Sequence, residues 1–172
     1  MHVQAYDGFA RMLAQTGLDA SGSWLVLDVG GADVNGSVRD QLPNSRWVGV
    51  DIEAAPGVDI LADAADWCAP FKEYDLVICT ELFEHAERWR EIIAQMCAGL
   101  CEWGPELLIG TCASTGRPPH GARGEDGVPE GQFYGNVDPE DLNAELSKWF
   151  REVTVEYQAD PGDAYFWARG IL

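Results

Sequence analysis

Residues 24–36, WLVLDVGGADVNG, constrain this chain more than any other stretch. A buried-strand run (Trp24, Leu25, Val26, Leu27) ends in Asp28, a small-residue loop follows at Gly30, Gly31 and Ala32, and a helix is predicted to start within 34–40. A strand, a glycine turn and a helix form the first half of a βα unit, which places a ligand at the strand's carboxyl end. Glycine lets the backbone approach that ligand because no Cβ intervenes.

The nature of the ligand follows from what the loop lacks and what it carries. A dinucleotide fingerprint, G-x-G-x-x-G, fits Gly30 but fails at Ala32 and Asn35. A pyrophosphate at a helix N-terminus wants donors and positive potential, whereas this loop bears Asp28 and Asp33. Two carboxylates suit a ligand with an ammonium and a sulfonium. On these residues the stretch resembles motif I of the class I S-adenosylmethionine (SAM)-dependent methyltransferases, an acidic residue followed by spaced glycines. Asp28 and Gly30 match it; Ala32 replaces the second glycine, and the DVNG continuation departs from it.

With 172 residues, 47% of them hydrophobic and seven tryptophan, the chain can bury a core, and one domain over 1–172 is expected. Its 29 acidic residues outnumber 11 basic ones, a net charge of -18. A phosphate-neutralising surface needs the opposite balance, which disfavours nucleic acid and anionic membranes as partners. Five cysteines (Cys68, Cys79, Cys97, Cys101, Cys112) show no C-x-x-C spacing and are expected to be buried, reduced thiols. No leader pattern and no apolar run of membrane-spanning length is present, so a soluble, cytoplasmic protein is expected.

Along the chain, Tyr6, Phe9, Ala10 and Leu13 predict an amphipathic helix near 3–16 with Gly17 as its C-cap. RWVGVD at 46–51 is the second strand; an acid about 20 residues beyond a glycine turn can accept from both ribose hydroxyls, which nominates Asp51. VDILA at 58–62 is the third strand, followed by Asp63, Ala64 and Trp67; YDLVICT at 74–80 and ELLIGT at 106–111 are the fourth and fifth. Between them Trp89, Ile92, Ile93, Met96, Cys97 and Leu100 keep helical spacing. Residues 112–138 are Gly- and Pro-rich and aperiodic; leaving the carboxyl end of strand five, they are read as a substrate lid. Asp138-Pro139 starts a helix whose buried face is Leu142, Leu146, Trp149 and Phe150, and 152–157 and 164–172 are the last strands. The alternation predicts an α/β, doubly wound, mostly parallel sheet.

The ordered signals from motif I through TELFEH resemble the small, type 11-like class I methyltransferases, and DVNG with GRPPH resembles actinobacterial or phage-type relatives. The resemblance implies a Rossmann-like, seven-stranded sheet with an antiparallel last strand. It also implies SAM held by Asp28, Gly30, Gly31, Ala32, Asp51, Ile52, Asp63, Ala64 and Thr80, with Trp67 as a ring platform. Methyl transfer to O or N of a small acceptor would then use Glu81, His85 and His120, with Glu81 or His85 serving as general base. Arg117, His120, Arg123 and Tyr134 of the lid, with Phe133 and Asn136, would bind an acceptor, its anionic group on the basic residues. No metal is expected on this reading. Small-RNA 3′-terminal 2′-O-methyltransferases carry a similar E-x-x-E-H completed by a loop histidine, and that alternative makes Glu81, Glu84, His85 and His120 metal ligands. A SAM-fold binding module without turnover is the non-enzyme alternative, suggested by Ala32.

Overall fold

A computed structural model of the chain describes residues 2–69 and 72–172. Helix α1 (Val3–Thr16) precedes strand β1 (Leu25–Val29), and β2 (Arg46–Asp51), β3 (Ile60–Leu61) and β4 (Leu76–Thr80) follow. Helix α2 (Trp89–Gly99), β5 (Leu107–Ala113), α3 (Pro139–Leu146) and the hairpin β6 (Phe150–Gln158) and β7 (Asp163–Ile171) complete the chain. The seven strands lie in the order β3-β2-β1-β4-β5-β7-β6. Pairing is parallel from β3 across to β5, whereas β7 runs antiparallel to both β5 and β6. The sheet reverses its winding between β1 and β4, and there the carboxyl ends of neighbouring strands open a crevice.

Strand alternation sorts the core onto two faces. Val26, Leu76, Ile78, Leu107 and Ile109 meet Phe9, Met12 and Leu13 of α1, while Leu27, Val77, Cys79 and Leu108 meet Ile92, Ile93 and Met96 of α2. Phe9 and Met12 are fully buried and Leu13 is 4% exposed; each such side chain contributes about 1.5–3 kcal/mol by leaving water. Helix α1 ends as its sequence requires, on Gly17 in the left-handed region at φ 69°. Asp138 caps α3 by accepting from the N–H groups of Glu140 and Asp141.

Several elements depart from expectation. The segment after the glycine loop is not an α-helix: it bends from Asp33 to Val38 and then makes one 3₁₀ turn, Arg39–Gln41. The Asp33 carboxylate accepts from the Gly36 N–H, so a local side-chain bond takes the place of the first helical turn. Strand β3 is only two residues long, against five expected. Helix α3 stops at Leu146, and Phe150 opens β6 instead of extending the helical face. Of the cysteines, Cys79, Cys97 and Cys112 are buried, Cys101 is half-buried and Cys68 is exposed; all five are free thiols. Burial raises the Cys79 and Cys112 thiols well above their ordinary range and Cys97 to about 12, so the three are packing groups and not nucleophiles.

Candidate functional site

The crevice over the strand ends contains two adjoining cavities. One, of about 280 Å³, is lined by Asp51, Ile52, Asp63, Ala64, Leu82 and Ile92, among others. The second, about 480 Å³, lies over Ala32, Asn35, Thr80 and Glu81 and is covered by Arg123, Gln132 and Phe133 of the long loop. Gly30, Asp51, Ile52, Leu82 and His85 line both. A third cavity of about 250 Å³ continues past Glu81 and His85 to His2, Arg117 and His120. Volumes of this order are those of small-molecule sites.

Asp51 stands at the junction. Its Oδ2 accepts from the Ala32 N–H (3.3 Å) and its Oδ1 from the Glu53 N–H (2.9 Å), which fixes the carboxylate between the β1 and β2 loops. Asp63 accepts from the Ala65 N–H at 2.8 Å and holds its turn at the rim of the first cavity. Asp28, expected to face the ligand, does not line the crevice. Its Oδ2 takes two guanidinium N–H bonds from Arg39 (2.9 and 3.0 Å), and Arg39 also donates to the Gly57 carbonyl. The pair props the loop from below, and Gly31 is closed in with it: a Cβ there would meet the Asp28 carbonyl at 2.9 Å and Gly49 Cα at 3.0 Å. Desolvation, outweighing Arg39, raises the Asp28 pKa. Trp67 also misses the ligand cavities, for it packs against the core beside Leu27, Val29 and Met96.

Residues 81–85 fold as a 3₁₀ turn (Phe83–His85), with α2 starting only at Trp89, so the shared helix face expected for Glu81, Glu84 and His85 does not form. Glu81 has a left-handed backbone, φ 56°, and turns back toward β5. Its Oε1 accepts from Thr111 Oγ1 at 2.9 Å, and its Oε2 lies 3.2 Å from His2 Nε2. Glu84 points inward, fully buried, and neither oxygen makes a hydrogen bond. The Glu84 and Ala113 amides lower its pKa through proximity without meeting hydrogen-bond geometry, but burial dominates and raises it well above the usual carboxylate range. His85 Nδ1 is likewise buried without a partner, and burial with the nearby His120 depresses this imidazole to about 4, keeping it neutral. Glu84, His85 and His120 offer ligand atoms within 4.8 Å of one another, and Tyr134 packs edge-on against both histidines.

The lid arginines do not wait for an anion. Arg117 donates to Asp163 Oδ1 at 2.9 Å, and Arg123 Nε donates to Glu53 at 3.1 Å. Two participants carried no recognisable sequence signal. His2 reads as an isolated residue ahead of an amphipathic helix, and Asp163 as the first residue of a strand. They meet across the fold, His2 Nε2 3.2 Å from Asp163 Oδ2.

No family model matches the chain, and no curated protein matches it. Solved structures do. An S-adenosylmethionine dependent methyltransferase from Mesorhizobium loti superposes over 96% of this chain and 100% of its own, at TM-score 0.64 and 14% identity. The 1,6-didemethyltoxoflavin-N1-methyltransferase of Burkholderia thailandensis covers 95% of this chain and 76% of its own, at TM-score 0.65 and 15% identity. The fold is that of the class I methyltransferases. A SAM dependent methyltransferase from Archaeoglobus fulgidus agrees over 96% of this chain and 95% of its own (TM-score 0.64, 15% identity). Within the methyltransferase fold, the crevice at the β1–β4 switch point is the ligand side of the sheet.

Proposed function

We propose that the protein binds SAM along this crevice and transfers its methyl group to O or N of a small acceptor. One observation carries the reading: a continuous crevice runs from Asp63 past Asp51 and Gly30 to Thr80 and Glu81, roofed by the loop that leaves β5. The residues present fit that cofactor. Asp51, at the junction of the cavities, would accept from the ribose hydroxyls. Asp63 and Ala64, with Ile52 and Leu82, would frame the adenine; Gly30, Ala32 and Thr80 would pass the methionine end. SAM supplies the electrophilic methyl when bound. The chain supplies alignment and water exclusion, with Glu81 at the reacting end to hold or take the acceptor's proton. Calorimetry with S-adenosylhomocysteine tests the first half: micromolar binding that is lost on changing Asp51 is expected, and no binding overturns the reading. Turnover across an acceptor panel then separates an enzyme from a module that only binds.

A second reading has its own observation, the orphaned Glu84 carboxylate beside His85 and His120. A divalent cation there would satisfy both orphan groups and polarise an acceptor oxygen. Its ligands would be three, without Glu81, which His2 and Thr111 hold. A melting temperature raised by Mn²⁺ in the parent chain and not in Glu84→Gln supports it; identical curves with and without the ion remove it. The charge of -18 still argues against RNA as the acceptor.

A further inference from the structure

We propose that the acceptor is a small amine, whose ammonium group takes the place between Glu81 and Asp163 that the His2 imidazole fills in this structure. The proposal rests on the methyltransferase reading and names its substrate class. His2 Nε2 lies 3.2 Å from Glu81 Oε2 and 3.2 Å from Asp163 Oδ2, yet its N–H meets hydrogen-bond geometry with neither. An imidazole has a single N–H on that side; a primary ammonium has three. The remaining contacts are already assigned: Thr111 donates to Glu81 Oε1, Arg117 to Asp163 Oδ1, and the Tyr165 hydroxyl to Asp163 Oδ2. What the two carboxylates lack is a cation that can donate to both at once.

His2 is also a displaceable occupant. It is the N-cap of α1, one residue before Val3, which is 71% exposed, and the helix first becomes buried at Ala5. Swinging it out gives up its ion pairs with Glu81 and Asp163, which an incoming ammonium replaces, and leaves the Phe9, Met12 and Leu13 packing untouched. The two carboxylates raise the His2 pKa to about 10, so they already hold a cation charged at neutral pH. When charged, Nδ1 carries a proton and donates to Gln4 Oε1 in place of capping Ala5, which loosens the first turn further. An anionic acceptor has no such welcome, because Arg117 and Arg123 are both engaged by carboxylates.

The chemistry balances. The bound ammonium gives one proton to Glu81 Oε2, and its nitrogen lone pair forms the new C–N bond. The methyl group's bond to sulfur breaks, and that electron pair stays on sulfur. The product is an N-methylated ammonium, and the proton on Glu81 leaves to solvent. Because product and substrate are both cations, the same carboxylate pair binds each, and the release of product is assisted by the return of His2.

Matched probes test this on the full chain: n-butylamine, butyrate and butanol, followed by nitrogen NMR of the histidine rings. The amine alone is expected to move the His2 signals and to return its titration toward the ordinary 6.5. Removing the internal competitor in His2→Ala should tighten amine binding about five-fold, since the open form no longer competes with a latched one. Glu81→Gln should abolish it. Butyrate or butanol binding as well as the amine, no binding by any probe, or amine binding indifferent to both substitutions would overturn the proposal. S-adenosylhomocysteine calorimetry on the same samples keeps the two failures apart. If the parent chain does not take the nucleoside, the methyltransferase reading has failed; if it does, only the amine has.

Discussion

The half of the crevice proposed for the nucleoside and the half proposed for the acceptor are built differently. In the first, Asp51 ends β2 and Asp63 follows β3, and both hold backbone N–H groups: Asp51 those of Ala32 and Glu53, Asp63 that of Ala65 in its own turn. In the second, ionisable side chains from distant elements are tied to one another, with His2 of the α1 cap on Glu81 of β4's end and on Asp163 of β7. Geometry dictated by the sheet tolerates small changes next to it. A network of charged partners drawn from distant elements transmits them. Substitutions should therefore act locally on one side and spread on the other.

The strongest break is expected under the nucleoside half. Arg39→Ala leaves the Asp28 carboxylate, 5% exposed, without its cation beneath the loop. Breaking such a pair costs about 3 kcal/mol, which lowers the melting temperature by roughly 6–12 °C for a domain of this size. An unchanged melting curve would show that the loop does not rest on this pair. Next in size, Asp51→Asn keeps the shape of the side chain and removes the charge. S-adenosylhomocysteine should bind roughly 10- to 100-fold more weakly, the loss of charge-assisted hydrogen bonds worth about 1.5–3 kcal/mol. The melting temperature of the free chain should fall by only roughly 2–4 °C, because the amide replaces one of the two accepting oxygens by a donor, and a drop several times larger would mean that Asp51 is chiefly a structural clamp.

This contrast also explains what could be read from the residues alone. The near-continuous apolar runs of β1 and β4, the Gly17 stop and the Asp138-Pro139 start are local patterns, and the chain forms the elements they predict; the helix expected within 34–40 is the exception. The place of Asp51 on the crevice follows likewise from a strand end at a fixed distance from a glycine turn, which is a local pattern. The pairing of Asp28 with Arg39, eleven residues on, has no periodic signature, so the sequence alone points Asp28 at the ligand and not at its true partner. The E-x-x-E-H spacing was legible, but its geometry was not: the left-handed backbone at Glu81 sends that side chain to Thr111 while Glu84 goes inward. His2 and Asp163 are 161 residues apart, and only the hairpin's insertion of β7 beside β5 brings them together.

A smaller effect is expected at Gly30, at φ 77°, where an added Cβ would also meet Leu82 Cβ at 3.0 Å. Gly30→Ala should cost about 1–2 kcal/mol through the left-handed backbone. Binding of the nucleoside should weaken with it, since Gly30 lines both adjoining cavities. Thermal unfolding with and without S-adenosylhomocysteine reads both effects. A full loss of binding at unchanged stability would place Gly30 in direct contact with the ligand instead of in the frame.

The finest discrimination concerns Glu84, where the sign with pH decides. Its folded-state pKa is raised well above 4.5, chiefly by burial. In the window above 4.5 the unfolded chain is ionised while the folded chain keeps its proton, so folding takes up a proton and stability falls as the pH rises. Below 4.5 both states are protonated and the penalty disappears. Glu84→Gln is neutral in both states at every pH. It should melt with the parent below pH 4.5 and above it at pH 8, by roughly 2–4 °C for each 1 kcal/mol of relief in a domain this size. A divalent cation reverses this order, because an ionised Glu84 then has a partner that glutamine cannot replace. With saturating Mn²⁺ at pH 8 the parent would be the more stable of the two. Parent and variant with the same pH dependence, metal or none, would mean that the carboxylate finds a partner in solution. The acceptor half would then be no more strained than the nucleoside half.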